Sequence, residues 1–190
     1  MNIGLYFGSF NPIHHGHLIV ASHMLYNAGL DQIWFVVSPQ NPLKPNHSLL
    51  NEYHRLHLVR LATEGFTGFK VTDIEFKLPR PSYTVDTLAF LEERYPEEVF
   101  SIIMGSDSFQ NLDKWKNPHI IRDRYPVKIY PRPGHIISIE GAGKNISLID
   151  APLLEISSSQ IRKKVKAHQS IRYYVPDNVM EEIEKGRYYK

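Results

Sequence analysis

The sequence predicts an α/β fold: a doubly wound parallel sheet with helices on both faces and a small helical extension at the C-terminal end. Three observations carry that expectation. Short, almost wholly apolar runs recur along the chain, such as Asn2 to Phe7 (NIGLYF), Ile33 to Val37 (IWFVV) and Val99 to Met104 (VFSIIM). Between them lie segments with apolar residues three and four apart. Glycine, proline and asparagine punctuate the junctions. Strands covered on both faces read as continuous apolar runs, and their alternation with helices marks a parallel sheet.

Each element follows from its own residues. Asn2 to Phe7 is a buried strand ending at Gly8. Leu18, Ala21, Leu25 and Ala28 have helical spacing, and Gly29 stops that helix. Ile33 to Val37 is a second strand, and the prolines at 42 and 45 make Gln40 to Ser48 a loop. Asn51 to Glu64 is helical through Leu56, Val59 and Thr63, and Phe69 to Phe76 alternates as a strand. Thr84 to Arg94 places Val85, Leu88 and Leu91 on one helical face. After the strand Val99 to Met104, Asn111 to Tyr125 reads as short helical pieces broken at Pro118. Val127 to Tyr130 and Ile146 to Ile149 are strands, with a loop-like stretch from Pro131 to Lys144 between them. Ser157 to Ala167 is a serine-capped basic helix, and Pro176 to Lys185 is the last helix, followed by Gly186. The expected organisation is one domain over residues 1–190, with the helices from about 157 packed on it.

Composition excludes several classes of function. The 190 residues are 42% apolar and 22% charged, with a net charge of +2. That balance gives no general case for nucleic acid or an anionic membrane, and only Arg162 to Lys166 is locally basic. There is no cysteine, so disulfides, thiolate metal sites and cysteine nucleophiles are out. No signal peptide or membrane-spanning run is seen, and a cytoplasmic location is the expectation. The oligomeric state is left open, a homo-oligomer included.

In such sheets ligands bind beyond the carboxyl ends of the strands. The loops at those ends are Gly8 to Gly16, Ser38 to Pro45 and Gly105 to Asp107. The first reads GSFNPIHHGH through His17. A metal, a phosphate or a plain turn are the candidates. No Asp or Glu accompanies the histidines, which counts against a protein-held zinc. A glycine-bearing turn leading into a helix suits an anion, with backbone N–H groups and the helix dipole pointing at it. Gly8 and Gly16 are expected to let the backbone approach closely, and His14 and His17 to add donors. The stretch is neither a P-loop nor G-x-G-x-x-G, and GAGKN at 141–145 has the wrong spacing for one.

GSFNPIHHGH resembles the (G/S)-x-F-x-P-x-H-x-G-H signature of the nucleotidyltransferase superfamily, with His14 and His17 as its histidines and His15 at a variable position. Ile156 to Arg162 (ISSSQIR) is similar to the superfamily's ISSTxxR, with Ser159 in place of threonine. The two lie about 140 residues apart, in the right order. PSYTVDTL at 81–88, GSDSFQNLDKW at 105–115, RPG at 132–134 and YYVPDNVMEEI resemble segments of the bacterial nicotinate-nucleotide adenylyltransferases. Three positions depart from that family: Asn11 replaces a common Asp, Leu43 a histidine, and Tyr130-Pro131 precede Arg132 where a basic residue is commoner.

The resemblance implies a Rossmann-like fold and transfer of adenylate from ATP to nicotinate mononucleotide. It implies that Gly8, Ser9, Phe10, His14 and His17 meet ATP from the first loop, with Gly105, Asp107 and Arg132 at the adenosine side. Ser157, Ser158 and Arg162 would hold the β- and γ-phosphates. His14, His17 and Arg162 would be catalytic. Lys44, Tyr83, Thr84 and Trp115 would bind the mononucleotide, Trp115 by stacking and Thr84 at the ring carboxylate. Physical chemistry agrees: an indole face suits a cationic pyridinium, and a helix N-terminus suits a carboxylate. Magnesium would arrive with ATP, with no metal held by the protein itself. The alternatives are an adenylyltransferase for nicotinamide mononucleotide or pantetheine phosphate, or a non-catalytic nucleotide sensor on the same fold.

Overall fold

The structure is a computed structural model and describes residues 1–40 and 49–190. Six parallel strands form its sheet: β1 (Asn2–Gly8), β2 (Gln32–Val37), β3 (Phe69–Thr72), β4 (Val99–Gly105), β5 (Val127–Tyr130) and β6 (Ile146–Leu148). Their order is β3-β2-β1-β4-β5-β6. The chain therefore winds outward one way from β1 and the other way from β4. The switch point lies between the ends of those two strands, at Gly8 and Gly105, where a crevice opens by construction.

The period of two along each strand sorts the core into two layers. Tyr6, Ile33, Phe35, Val37 and Ile103 point to one face. There they meet α1 (His15–Asn27), α2 (Glu52–Thr63), α6 (Ser158–Lys166) and α7 (Asp177–Lys185). Ile3, Leu5, Trp34, Val36, Ile102 and Met104 point to the other. That side holds α3 (Thr84–Arg94) and α5 (Pro118–Arg124), while the short α4 (Ser106–Phe109) follows β4 directly.

Three boundaries differ from the sequence pattern, each for a local reason. The first helix starts at His15 rather than Leu18, because His14 becomes its N-cap. Strand β3 stops at Thr72, whose hydroxyl accepts the Ile74 N–H at 3.2 Å and turns the chain into a 3-10 turn over Ile74–Lys77. Pro118 opens α5 instead of breaking a helix, since the first helical position needs no N–H. Gly29 follows the end of α1 with φ of +67°, the left-handed conformation that favours glycine.

An aromatic cluster lies directly under the switch point. Phe35 sits 5.7 Å from Tyr6, 5.6 Å from Phe10 and 5.2 Å from Phe69, ring centre to ring centre. Phe35 is completely buried. Phe35→Ala is expected to cost about 3–5 kcal/mol, the range for deleting a buried aromatic ring, read from the urea midpoint of unfolding.

Candidate active site

The loop after β1 is shaped by its own side chains. Phe10 takes a left-handed φ of 45°, which turns its ring back over Gly8. A Cβ on Gly8 would lie 2.8 Å from that ring, and one on Gly16 would lie 3.0 Å from the His14 ring. Both glycines thus make room for side chains of the loop. Gly8 also lines the cleft, as expected for a backbone that a ligand approaches.

The two histidines are stacked, with ring centres 3.7 Å apart. The His14 N–H donates to His17 Nδ1 at 3.3 Å, so a neutral His17 carries its proton on Nε2. His14 Nδ1 faces the start of α1 in the capping-box manner. The His17 N–H, however, is aligned on the His14 carbonyl at 2.9 Å, which leaves Nδ1 buried with no hydrogen bond among the described residues. Burial, then the charges of Arg132 and His15, lower the His14 pKa to about 3. His14 is therefore a neutral group at pH 7. The His15 N–H is taken by the Tyr174 carbonyl at 2.9 Å.

The second motif is bonded to this loop. Ser158 Oγ donates to the Pro12 carbonyl at 2.8 Å, and Arg162 Nη1 to the Asn11 carbonyl at 2.8 Å. Arg162 Nη2 donates to Ser159 Oγ at 3.2 Å, and Ser157 Oγ caps α6 by accepting from the Gln160 N–H. Across the switch point, Asp107 Oδ1 and Arg132 Nε are 3.8 Å apart. A Cβ on Gly105 would strike both side chains, so glycine there leaves them space. Beneath them the hydroxyls of Tyr6 and Tyr130 share a buried hydrogen bond of 3.1 Å. Burial raises both phenols, Tyr6 well above the usual range.

A third wall comes from the start of α3. Its N-cap, Tyr83, makes no side-chain cap, so the helix end is open to an external acceptor. The turn before it is pinned from behind by Glu75, a buried carboxylate. Its oxygens accept from Ser82 Oγ at 2.9 Å and Thr87 Oγ1 at 3.0 Å. Burial raises the Glu75 pKa against those bonds. Lys116 lies 4.9 Å over the Tyr83 ring and pairs with Asp86 at 2.8 Å.

These walls enclose one cleft of about 670 Å³. Gly8, Ser9, Phe10, His14, His17, Gly105, Asp107, Arg132, Ser157, Ser158 and Arg162 all line it, as do Tyr83, Thr84 and Trp115. Lys44 lies outside the described residues. Sequence reasoning missed Glu75 and also Arg55, which binds four loop carbonyls from a fully buried position. Arg55 had a signal: it precedes Val59 by four residues and so falls on the apolar stripe of α2. Among the described residues, no group of three or more His, Asp or Glu could hold a metal ion, and no helix is long and apolar enough to cross a membrane.

Comparison with known proteins assigns the family and the fold. The sequence model of the cytidylyltransferase-like family matches residues 5–164. A probable nicotinate-nucleotide adenylyltransferase of Flavobacterium psychrophilum is 49% identical, with the whole of both chains aligned. The chain belongs to the nicotinate-nucleotide adenylyltransferase family. Another probable member, from Cytophaga hutchinsonii, is 48% identical over 100% of this chain and 98% of its own. In three dimensions the family fold extends to nicotinic acid mononucleotide adenylyltransferase of Plasmodium falciparum complexed with NaAD. That structure has a TM-score of 0.84 at 23% identity, covering 99% of this chain and 97% of that one. A second structure of that enzyme, complexed with APC, has a TM-score of 0.82 at 23% identity, covering 99% of this chain and 96% of that one.

The buried, neutral His14 generates a prediction. Its imidazole NMR signals are expected not to titrate between about pH 5 and 8. Its folded pKa is depressed, so the unfolded chain binds the proton more tightly. The His14 contribution to stability is complete above the ordinary value of 6.5 and is lost as pH falls from there toward about 3. Urea unfolding across that window should show a shallower pH dependence for His14→Ala than for the unmodified protein.

Proposed function

We propose that this cleft joins nicotinate mononucleotide and ATP into nicotinate adenine dinucleotide and pyrophosphate, a step of NAD biosynthesis. Membership of the nicotinate-nucleotide adenylyltransferases supports the reaction. The observation that carries it is the bonding of Arg162 and Ser158 to the Asn11–Pro12 carbonyls, which makes one cationic wall of two distant motifs. An open helix end at Tyr83–Thr84 and the Trp115 ring line the same cleft.

A phosphate oxygen of the mononucleotide attacks the α-phosphorus of ATP in line. The bond from that phosphorus to the bridging oxygen breaks, and its electron pair leaves with pyrophosphate. The nucleophile is already an anion, so no base has to take a proton. The protein supplies position and charge stabilisation. His17 Nε2–H donates to the α-phosphate as charge builds there. His14, held neutral, fixes the His17 ring by stacking and carries a ring nitrogen of its own into the same wall. Arg162 and the Ser157–Ser158 helix start receive the β- and γ-phosphates, and Asp107 with Arg132 takes the adenosine side. Thr84 and the α3 N-terminus accept the nicotinate carboxylate, Tyr83 shapes that turn, and Trp115 stacks on the ring. Lys44 is assigned to the mononucleotide phosphate from sequence alone.

ATP-dependent adenylyl transfer generally uses a divalent metal, and magnesium carried on the triphosphate is the ion proposed. It is part of the substrate: Asp107, the carboxylate beside the switch point, is turned to Arg132. The whole chain is taken to act as one domain in the cytoplasm.

Pyrophosphate release with ATP and either the acid or the amide mononucleotide tests the reading. Turnover with the acid is expected to dominate, and preference for the amide would overturn the substrate assignment. His17→Ala should lower kcat by at least about a hundredfold while ATP still binds, as for loss of a transition-state donor. Near-normal turnover in that variant would remove His17 from the chemistry. Trp115→Ala should raise KM for the mononucleotide more than KM for ATP, measured in the same assay.

A further inference from the structure

Arg55 has no assigned part in the reaction, yet its surroundings are unusual for an arginine. It is fully buried on α2, and its hydrogen bonds to described residues all go to main chain. Nε donates to the Leu50 carbonyl at 2.7 Å. Nη1 donates to Ser9 at 2.6 Å and Ser38 at 2.8 Å, and Nη2 donates to Pro39 at 2.9 Å. All four carbonyls lie in loops rather than in helices or strands. Among the described residues no carboxylate hydrogen-bonds the guanidinium; Glu52 bonds Arg80 at 2.8 Å and acts on Arg55 through its field. Burial lowers its pKa to about 10, which still leaves it charged at neutral pH.

A buried cation that hydrogen-bonds only carbonyls, with Glu52 reaching it through its field alone, is costly, and an apolar side chain would fill the same space more cheaply. The geometry therefore asks what the charge and the fork of donors achieve. Ser9 belongs to the loop after β1, which carries His14 and His17. Ser38 and Pro39 follow β2, and Leu50 leads into α2. One planar group sets the spacing of all three stretches. The Leu50 N–H is held as well, by Asn11 Oδ1 at 3.1 Å, so the same loop is tied twice.

We propose that Arg55 is a positioning residue for the transfer reaction. Its guanidinium fixes the histidine-bearing loop against the loop after β2, and it places a permanent positive charge behind a cleft that receives two anionic substrates. The proposal rests on the adenylyl-transfer reading given above.

Arg55→Ala leaves a cavity bordered by four carbonyls, which free guanidinium can enter. The variant is expected to lose about a hundredfold in kcat/KM, the scale of a small misplacement of reacting groups, and millimolar guanidinium should restore at least about tenfold of that loss. Urea has the same shape and N–H donors without the charge, and should restore little at equal concentration. Circular dichroism checks that the variant is folded. Arg55→Lys keeps the charge but cannot span the four carbonyls, so it should show intermediate activity and serves if Arg55→Ala does not fold. A folded variant within about threefold of normal kcat/KM would overturn the proposal. So would recovery by urea equal to that by guanidinium, or no recovery by guanidinium in a folded protein. If the unmodified protein releases no pyrophosphate from ATP with either mononucleotide, the reaction reading itself fails, and the proposal falls by that separate result.

Discussion

Two hydrogen bonds from α6 to the carbonyls of Asn11 and Pro12 hold the site together. They tie the histidine loop after β1 to the second motif. They use the carbonyls of Asn11 and Pro12, between Phe10 and His14, and they bring a capped helix start and a guanidinium beside the stacked histidines. The loop in turn could not present those carbonyls without the turn at Phe10, whose ring folds over Gly8. Sheet topology provides the opening, and these bonds decide what faces into it.

The electrostatic design separates neutral from charged groups. His14 is kept uncharged by burial and by the nearby cation of Arg132, so the positive charge at that wall resides on guanidinium groups. Arginine is always protonated near neutral pH and presents its donors in a fixed plane, which suits phosphate oxygens. A histidine that donates from Nε2 without carrying full charge can respond as negative charge develops on an oxygen. On the opposite side, Glu75 is buried among hydroxyls that it holds in place, which shapes the start of α3 without leaving a free carboxylate in the cleft.

Much of this was legible in the sequence, for reasons that differ by element. Strands β1, β2 and β4 announced themselves because burial on both faces demands unbroken apolar runs. Helix α3 was found from Thr84 to Arg94 because its apolar stripe and its termini agree. The end of β3 was not legible, since Thr72 stops it with a hydroxyl that fits a strand equally well. Every described candidate residue lines the cleft, because the motifs encode both side chain and spacing. Arg55 and Glu75 were missed because their partners carry little sequence signal. Main-chain carbonyls are the same at every position, and one charged residue in a helical pattern reads as surface. Which neighbour uses the space left by a missing Cβ is likewise shown only by the fold.

The bond between Ser158 and Pro12 spans 146 residues of sequence. Synthesis proceeds from the N-terminus, at several residues per second. The histidine loop therefore leaves the ribosome many seconds before the helix that anchors it. Strand β4, which ends at Gly105, also leaves before α6, so both strands of the switch point can be made while the Asn11 and Pro12 carbonyls still lack their α6 partners. A nascent chain can hold the complete GSFNPIHHGH stretch and still lack the geometry that makes it a site. The contacts that tie α6 to the histidine loop are therefore among the last parts of the cleft to be made.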